Sequence, residues 1–449
     1  MLKRKIYDRL LEWKNKNRKK CLVIKGARQV GKTYIVDIFG KNEYENYVYV
    51  NFILDPRLKT AFEGSLEVQE ILLNLSAMVE SARFVPQKTL IFLDEIQECP
   101  LARTSLKSFT LDGRYDVIAS GSLLGVHYRS PPEASIPVGY EEELTMHSLD
   151  FEEFLIAKGM NETVIDAVKT RIGSKSALGQ SIRSVLEDSY RQFMIVGGMP
   201  ESVLTFIGEK NYRAVWECNR SILSSYMDDI DRYTTGSDRN KTRACLESIS
   251  MQLAKPNNKF IYADIDGDSK NGSRKYEGNL RWLIDAGIVV PCYNLHELKI
   301  PLEGSSNPSS FKIYMGDTGL LLASYSFDLI HGLISEQRDV KLGYIVENCI
   351  NASLLREGKK TYYLEKKSKM ELDFVCYIDG GIAAIEVKSG GNRTSRSLDN
   401  LEKHGQHADV RLKLENADVF IDDSGVIHMP LFAAAFISQL DAGASETTS

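Results

Sequence analysis

The feature that most constrains the fold is the stretch GARQVGKT at residues 26–33, which fits the pattern GxxxxGK[ST] in full. It follows a short apolar run and precedes a helix-patterned segment, so it predicts strand, loop and helix in that order. In such a loop glycines let successive backbone N–H groups point at phosphate oxygens, while the helix N-terminus adds its dipole. The residues that we predict to line a nucleotide phosphate site are Gly26, Ala27, Arg28, Gln29, Val30, Gly31, Lys32 and Thr33.

The chemistry of this loop predicts ATP and Mg²⁺ as cofactors. We expect Lys32 to reach the β- and γ-phosphates during catalysis and the Thr33 hydroxyl to bind Mg²⁺. Further on, the apolar run in LIFLDE predicts a buried strand that delivers Asp94 at its carboxyl end, where ligands bind in parallel sheets. Asp94 would then hold Mg²⁺ and Glu95 would polarise the attacking water. Taken alone, these two acids would also fit a helix cap after a buried strand.

Ser120 ends the next predicted strand, in the position of a polar residue that senses the γ-phosphate. A simple Gly/Ser turn explains the same residues nearly as well. The sequence singles out no arginine finger, since Arg28 lies in the loop itself and Arg103, Arg114 and Arg129 are equally compatible with surface positions.

Alternating strand and helix patterns predict an α/β protein whose domain at residues 1–150 has a parallel sheet with helices on both faces. A helical region at 151–238 and a winged-helix-like region at 239–300 would follow. An α/β domain at 301–440 and a disordered tail at 441–449 would complete the chain.

Composition narrows the setting of the protein. The seven cysteines are scattered without a CxxC pair, which argues against a zinc site and predicts reduced thiols in a cytoplasm. No apolar run approaches the length of a membrane span, so we expect no membrane partner. The net charge of −5 gives no global attraction to nucleic acid, and any DNA contact must come from local patches.

Near the end of the chain, ELDFVCYIDGGIAAIEVKSG predicts a hairpin with strands at 374–378 and 382–388. Alternation places Glu386 and Lys388 on one face, while Asp373 at the open end would approach Glu386. Glu347, on a predicted upstream helix, could face the same place. In this arrangement Asp373 and Glu386 would bind Mg²⁺, and Lys388 would help the metal polarise a water. A cross-strand Glu/Lys face on an exposed sheet is the simpler alternative for Glu386 and Lys388.

The hairpin residues resemble the PD-(D/E)xK nuclease arrangement, although the usual proline before the first acid is missing. The stretches GARQVGKT, LIFLDEIQ, ASGSLLG and LDFEEFL resemble AAA-type ATPases that carry a C-terminal DUF4143 domain, a family related to the STAND class. VGGMPESV, KYEGNLRWLIDAGIV and KIYMGDTGLL match the same family. The resemblance implies ATP binding, hydrolysis, a restriction-endonuclease-like C-terminal fold and a DNA-related or defence-related role. Gly139-Tyr140 stands where many members have Gly-Arg, so no arginine role transfers there.

In the winged-helix-like region, helical spacing assigns Tyr276, Leu280, Leu283 and Ile284 to the core. That leaves other residues free for DNA, namely Arg274, Lys275, Asn279 and Arg281, with Lys255 and Lys259 upstream. Nearby acids offset much of this charge, and winged helices also serve as packing modules.

The leading hypothesis is an ATPase that couples hydrolysis to winged-helix and nuclease-like modules acting on DNA, with homo-oligomerisation as an option. The runner-up is a nucleotide-dependent signalling switch whose C-terminal domain is a degenerate protein- or DNA-binding module. A third reading is a DNA-binding regulator that uses ATP as a structural ligand.

Overall fold

The computed structural model of the protein describes residues 2–80, 82–121, 138–267, 272–335, 343–366, 370–388 and 396–441. Ser122, Arg129 and nearly all of the predicted tail lie outside these residues. The chain divides into two compact units, of which unit 1 covers residues 3–148 and 285–287. Unit 2 covers residues 149–284 and the chain from 288 on.

Unit 1 is built on a parallel sheet whose strands run in the order β2-β3-β4-β1-β5. The strands are β1 (Cys21–Lys25), β2 (Asn46–Asn51), β3 (Thr89–Asp94), β4 (Asp116–Gly121) and β5 (Glu141–Thr145). All six residues of β3 are buried, as expected for a central strand covered on both faces. The predicted parallel sheet is confirmed.

The helices of unit 1 cover the two faces of this sheet. They are α1 (Ile6–Lys14), α2 (Lys32–Glu43), α3 (Val68–Met78) and α4 (Pro100–Asp112), with 3₁₀ turns at Pro56–Phe62 and Ile96–Glu98. One face packs on α3 and α4 through a cluster that includes Val50, Leu93 and Ala119. Pro100 begins α4, where its missing N–H costs nothing, and Gly113 ends it in a left-handed conformation.

Unit 2 begins with helices and continues into a second sheet. Its helices are α5 (Phe151–Ala157), α6 (Glu162–Gly173), α7 (Gln180–Val196), α8 (Pro200–Glu209), α9 (Tyr212–Tyr233), α10 (Ser237–Leu253), α11 (Gly272–Asp285), α12 (Thr318–Ala323), α13 (Phe327–Ile334), α14 (Gly343–Arg356) and α15 (Arg396–Asp399). A capping box between Asp150 and Glu153 fixes the start of α5. A 3₁₀ segment at Leu431–Leu440 is interrupted by a kink at Phe436.

The described strands of unit 2 form one mixed eight-stranded sheet in the order β12-β13-β11-β10-β9-β8-β6-β7. They are β6 (Val289–Leu295), β7 (Ser306–Met315), β8 (Tyr362–Lys366), β9 (Met370–Ile378), β10 (Gly381–Val387), β11 (Val410–Leu414), β12 (Phe420–Ile421) and β13 (Ile427–Met429). The predicted hairpin is present as the antiparallel pair β9–β10.

The helix–helix–strand–strand order of the predicted winged helix occurs in α10, α11, β6 and β7. However, β6 pairs with both β7 and β8, so the hairpin that would be the wing is part of the eight-stranded sheet. The predicted boundary between residues 300 and 301 falls between β6 and β7. A separate winged-helix domain and the domain bounds therefore stay predictions.

The buried carboxylate of Asp317 joins three parts of unit 2. It accepts hydrogen bonds from the backbone N–H of Gly198 (2.8 Å) and of Gly319 (2.9 Å), and it pairs with Arg356 at 3.2 Å. A side chain at Gly198 would not fit, because its Cβ would lie 2.1 Å from the Leu149 carbonyl oxygen. This network links the α7–α8 turn, the start of α12 and the end of α14.

Asp317→Ala should destabilise unit 2 by about 3 to 5 kcal/mol, because it leaves the Arg356 guanidinium buried without its partner. The side chains of Asp317 and Arg356 are only 3% and 6% exposed. Hydrogen exchange of residues 196–203 and 315–323 across a urea series measures this loss. Asp423→Ala, at an exposed turn, is the matched control and should change stability by less than about 0.5 kcal/mol. Equal exchange in the two variants would contradict the assignment.

Candidate functional site

The predicted phosphate loop lies between the end of β1 and the start of α2. Gly26 has φ +151°, and a Cβ there would lie 2.1 Å from the carbonyl oxygen of Met146, so only glycine fits. The Lys32 ammonium donates to the carbonyl oxygens of Gly26 and Ala27, both at 2.9 Å. The lysine side chain therefore contacts the backbone of its own loop.

The carboxylate of Asp94, at the end of β3, contacts several other side chains of the site. Its carboxylate accepts hydrogen bonds from the Thr33 hydroxyl (2.9 Å), the Tyr49 hydroxyl (2.9 Å) and the Asn51 amide (3.0 Å). The buried Ser120 hydroxyl donates to its other oxygen. Four of the predicted site residues thus lie together at the carboxyl ends of adjacent strands, where parallel sheets bind ligands. They are Lys32, Thr33, Asp94 and Ser120.

Glu95 has a left-handed backbone conformation, with φ +55°. For a non-glycine residue this costs free energy, and such strain concentrates at functional sites. Its carboxylate accepts a hydrogen bond of 2.6 Å from the Gln97 amide. The side chain that we predict to polarise water is therefore held by a neighbour two residues along.

Two contacts of Asp94 were missed by the sequence analysis. Tyr49 and Asn51 alternate along β2 and bring a hydroxyl and an amide to the carboxyl end of that strand. Burial raises the pKa of Tyr49 to about 12, and the Asp94 charge adds to the rise, so the hydroxyl remains a donor. The signal was present in YVYVNF, since polar residues two apart on a strand share a face.

A further unpredicted contact comes from the start of the chain. The buried guanidinium of Arg4 donates to the carbonyl oxygen of Val30 in the loop (2.9 Å) and to that of His147 (2.6 Å). It thereby ties the phosphate loop to the segment after β5.

Magnesium fits the nucleotide site. The Thr33 hydroxyl and the Asp94 carboxylate are oxygen ligands of the kind that Mg²⁺ prefers, and they already lie 2.9 Å apart. Together with nucleotide phosphates they would complete a coordination shell.

In the C-terminal part of the chain, several polar side chains contact Glu347 on α14. One oxygen of its carboxylate accepts from the Tyr314 hydroxyl (3.0 Å) and the Asn258 amide (3.0 Å), and lies 3.3 Å from the Lys312 ammonium. Desolvation lowers the pKa of Lys312, but the charges of Glu347, Asp373 and Glu371 outweigh it and raise the pKa overall. Lys312 is therefore a charged side chain inside the sheet.

Asp373 lies beside this group on β9. Its carboxylate accepts from the Val387 N–H on β10 at 2.7 Å. The residue keeps some surface contact, yet protein atoms surround its carboxyl. This desolvation raises its pKa to about 7, with the Glu347 charge adding and the Lys312 ammonium opposing. The Lys388 ammonium lies 2.5 Å from Glu386, as the shared strand face predicted.

The predicted C-terminal metal site does not fit a divalent ion as the residues stand. Among the described residues, no group of three or more His, Cys, Asp or Glu side chains is placed to hold a metal. Glu347 and Glu386 each face a lysine ammonium instead. Lys312 was missed by the sequence analysis, because a single lysine in FKIYMGD gave no sign of its partners.

Several residues considered for other roles already have partners. Arg103 pairs with Glu141 at 2.8 Å, and Arg114 pairs with Asp112 at 2.7 Å. Among the residues predicted to face DNA, Asn279 is buried and donates to Thr242 at 2.9 Å, so that prediction is wrong. Three lysines considered for DNA contact also form ion pairs, namely Lys255 with Asp264, Lys259 with Glu365 and Lys275 with Asp266.

The fold and the site define the N-terminal part of the chain as a P-loop ATPase domain of the AAA type, and residues 18–155 match a family model described as AAA domain. The chain also carries a C-terminal domain of unknown function, DUF4143, over residues 342–432. A further domain of unknown function, DUF8612, matches residues 187–329. This range includes the boundaries predicted from sequence between residues 238 and 239 and between residues 300 and 301. The predicted resemblance to ATPases with a DUF4143 domain is confirmed. The nuclease and STAND relations stay predictions.

Solved structures with similarity to the chain include the Walker-type ATPase PABY2304 of Pyrococcus abyssi, with 12% identity and a TM-score of 0.42 over 72% of this chain and 96% of that one. The Aeropyrum pernix ORC1 protein in complex with DNA has 14% identity and a TM-score of 0.28 over 74% and 91%. The Thermotoga maritima RuvB Holliday junction branch migration motor has 13% identity and a TM-score of 0.27 over 64% and 89%. With TM-scores below 0.5, these similarities support no conclusion on function.

No curated protein matches the sequence. Within the part of the chain that the structure describes, no helix is long and apolar enough to cross a membrane.

Arg4→Ala should weaken ATP binding about tenfold, because nucleotide binding must then also order the loop. A hydrogen bond from a charged group typically contributes about 1.5 kcal/mol or more, which corresponds to about tenfold in Kd. Titration with a fluorescent ATP analogue measures the Kd. Lys3→Ala, which removes an exposed charge from the adjacent position, should leave it unchanged. The same loss in both variants would indicate a general charge effect and contradict the role of Arg4.

Proposed function

We propose that the chain binds ATP with Mg²⁺ and hydrolyses it in unit 1. The observation that carries this proposal is the Asp94 carboxylate, which accepts hydrogen bonds from the Thr33 and Ser120 hydroxyls, together with Lys32 in the phosphate loop. These are the side chains that a P-loop ATPase needs at its metal, γ-phosphate and phosphate-oxygen positions.

Each residue has a distinct part in this mechanism. Lys32 leaves the Gly26 and Ala27 carbonyl oxygens and turns to the β- and γ-phosphates. Thr33 and Asp94 would hold Mg²⁺, which would neutralise charge on the phosphates. Ser120 lies beside Asp94 and contacts the γ-phosphate, and Glu95, released from Gln97, orients the attacking water and accepts its proton.

Two substitutions separate binding from hydrolysis. Lys32→Ala should raise the Kd for ATP at least about tenfold, because it removes a charge-assisted contact to the phosphates. Glu95→Gln should keep ATP affinity within about twofold and lower kcat by about a hundredfold or more. The measurements are equilibrium ATP binding and phosphate release.

Glu70→Gln, on the exposed side of α3, is the matched control for Glu95 and should hydrolyse ATP at the wild-type rate. A Glu95→Gln variant with normal phosphate release would remove Glu95 from the mechanism. Unchanged ATP affinity in Lys32→Ala would overturn the site itself.

For the output of the ATPase, two candidates remain. The first is Mg²⁺-dependent DNA cleavage at Asp373, Glu386 and Lys388, supported by their motif and by the contact of Asp373 with β10. The second is a nucleotide-dependent switch whose C-terminal domain binds a protein or DNA without cutting it. The ion pair between Lys312 and Glu347 favours the second, because it places a protein cation among the acids that a metal would need.

On this basis the wild-type chain, with ATP and either Mg²⁺ or Mn²⁺, should cleave DNA and RNA no faster than Asp373→Asn does. Single-stranded, duplex and branched substrates are compared on gels, with phosphate release measured in the same samples. Asp379→Asn, at the exposed turn of the hairpin, is the control. Metal-dependent cleavage that is lost in Asp373→Asn and kept in Asp379→Asn would establish the first candidate instead.

DNA as a partner and homo-oligomerisation are part of the same proposal. DNA-stimulated phosphate release would support a DNA partner. If Glu95→Gln leaves DNA binding and its regulation by ATP unchanged, ATP would be a structural ligand, as in the third reading.

A further inference from the structure

Lys312 is a lysine where a sheet normally has an apolar residue. It lies on β7 between the buried residues Phe311 and Ile313, and its side chain is 1% exposed. A buried ammonium is tolerated only where nearby acids compensate its charge and its N–H groups find acceptors. Its surroundings therefore define a site built to hold a positive charge.

The acids around Lys312 come from two different elements. Its ammonium lies 3.3 Å from Glu347 on α14 and 4.0 Å from Glu371 on β9. The face of the Tyr363 ring, on β8, lies 5.1 Å from the same nitrogen and adds a cation–π contact. Contacts from α14, β8 and β9 thus converge on one cation.

Glu347 is arranged to receive donors and not a divalent ion. The Lys312 ammonium, the Tyr314 hydroxyl and the Asn258 amide all approach the same carboxylate oxygen, at 3.0 to 3.3 Å. Oxygen ligands of Mg²⁺ lie at about 2.0 to 2.1 Å in a nearly ideal octahedron. A metal at this oxygen would have to displace protein donors that the fold holds in place.

The other acids of the predicted metal site are also engaged. Asp373 accepts from the Val387 backbone N–H, and Glu386 lies 2.5 Å from the Lys388 ammonium. Each carboxylate therefore already has a donor or a cation from the protein itself.

We propose that the Lys312 ammonium is the resident cation of the C-terminal acidic site, taking the charge-compensating place of a divalent metal. The wild-type site consequently holds neither Mg²⁺ nor Mn²⁺. Removal of the ammonium leaves Glu347, Glu371 and Asp373 without their shared cation and converts the site into one that binds a divalent metal. The proposal concerns metal occupancy only, and it stands or falls independently of ATP hydrolysis in unit 1.

The test measures Mn²⁺ binding to the full chain without nucleotide, by electron paramagnetic resonance of free Mn²⁺ and by calorimetry. The chains are wild type, Lys312→Met, Lys312→Arg, Asp373→Asn, and Lys312→Met combined with Asp373→Asn. Methionine keeps the length of the side chain without its charge, while arginine keeps the charge. Lys299→Met, at an exposed position, is the matched control.

We expect Lys312→Met to bind one Mn²⁺ per chain at least tenfold more tightly than wild type, and the double variant to lose this gain. Wild type, Lys312→Arg and Lys299→Met should show no Mn²⁺ binding that depends on Asp373. One Mn²⁺ bound by wild type and lost in Asp373→Asn would overturn the proposal. Equal Mn²⁺ affinities of Lys312→Met and Lys299→Met would also overturn the proposal.

Loss of the buried cation can also unfold Lys312→Met, and the thermal midpoint in EDTA and in Mn²⁺ covers that case. Because a ligand that binds only the folded state raises its stability, Mn²⁺ should raise the midpoint of Lys312→Met by several degrees and leave that of wild type unchanged. If the variant is unfolded in EDTA, Mn²⁺ should restore its fold. No restoration and no shift would overturn the proposal.

Discussion

The buried carboxylate of Asp317 is the interaction on which unit 2 depends. The α7–α8 turn, the start of α12 and the end of α14 are far apart in sequence, and all three contact this one side chain. Two stretches that matched the ATPase family on sequence alone, VGGMPESV and KIYMGDTGLL, supply the Gly198 and Gly319 amides and the aspartate itself. Both stretches therefore have a structural role, because their contacts hold the helical part of unit 2 against the end of β7. Through β7 they also set the position of Lys312, five residues before Asp317.

Unit 1 is organised around a carboxylate in a different way. Asp94 accepts hydrogen bonds from side-chain hydroxyl and amide groups on α2, β2 and β4. Asp317 instead contacts two backbone amides and a buried guanidinium. Both carboxylates are buried, and they differ in their partners, which are mainly side-chain groups at Asp94 and backbone amides with a guanidinium at Asp317.

Much of unit 1 could be predicted from sequence because its signals are local. The phosphate loop, the apolar strand before Asp94 and the position of Ser120 each depend on a few consecutive residues. Arg4 could not be predicted, since its acceptor His147 is 143 residues away and only the folded chain brings them together. The prediction that Asn279 faces DNA was wrong for a related reason. Helical periodicity assigns a residue to one face of its helix, but it does not show that α10 packs against that face.

The C-terminal site shows how a short motif can be present while its chemistry differs. Asp373 contacts β10, the Lys388 ammonium lies beside Glu386, and Glu347 on α14 lies beside Lys312. The motif includes these acids but not the cation that compensates their charge. Acids that lie close together and are partly buried need positive charge nearby, and either a bound metal or a buried lysine can supply it. In this fold the lysine comes from β7, a strand outside the motif, so the charge balance of the site is decided by packing and not by the residues that define the motif.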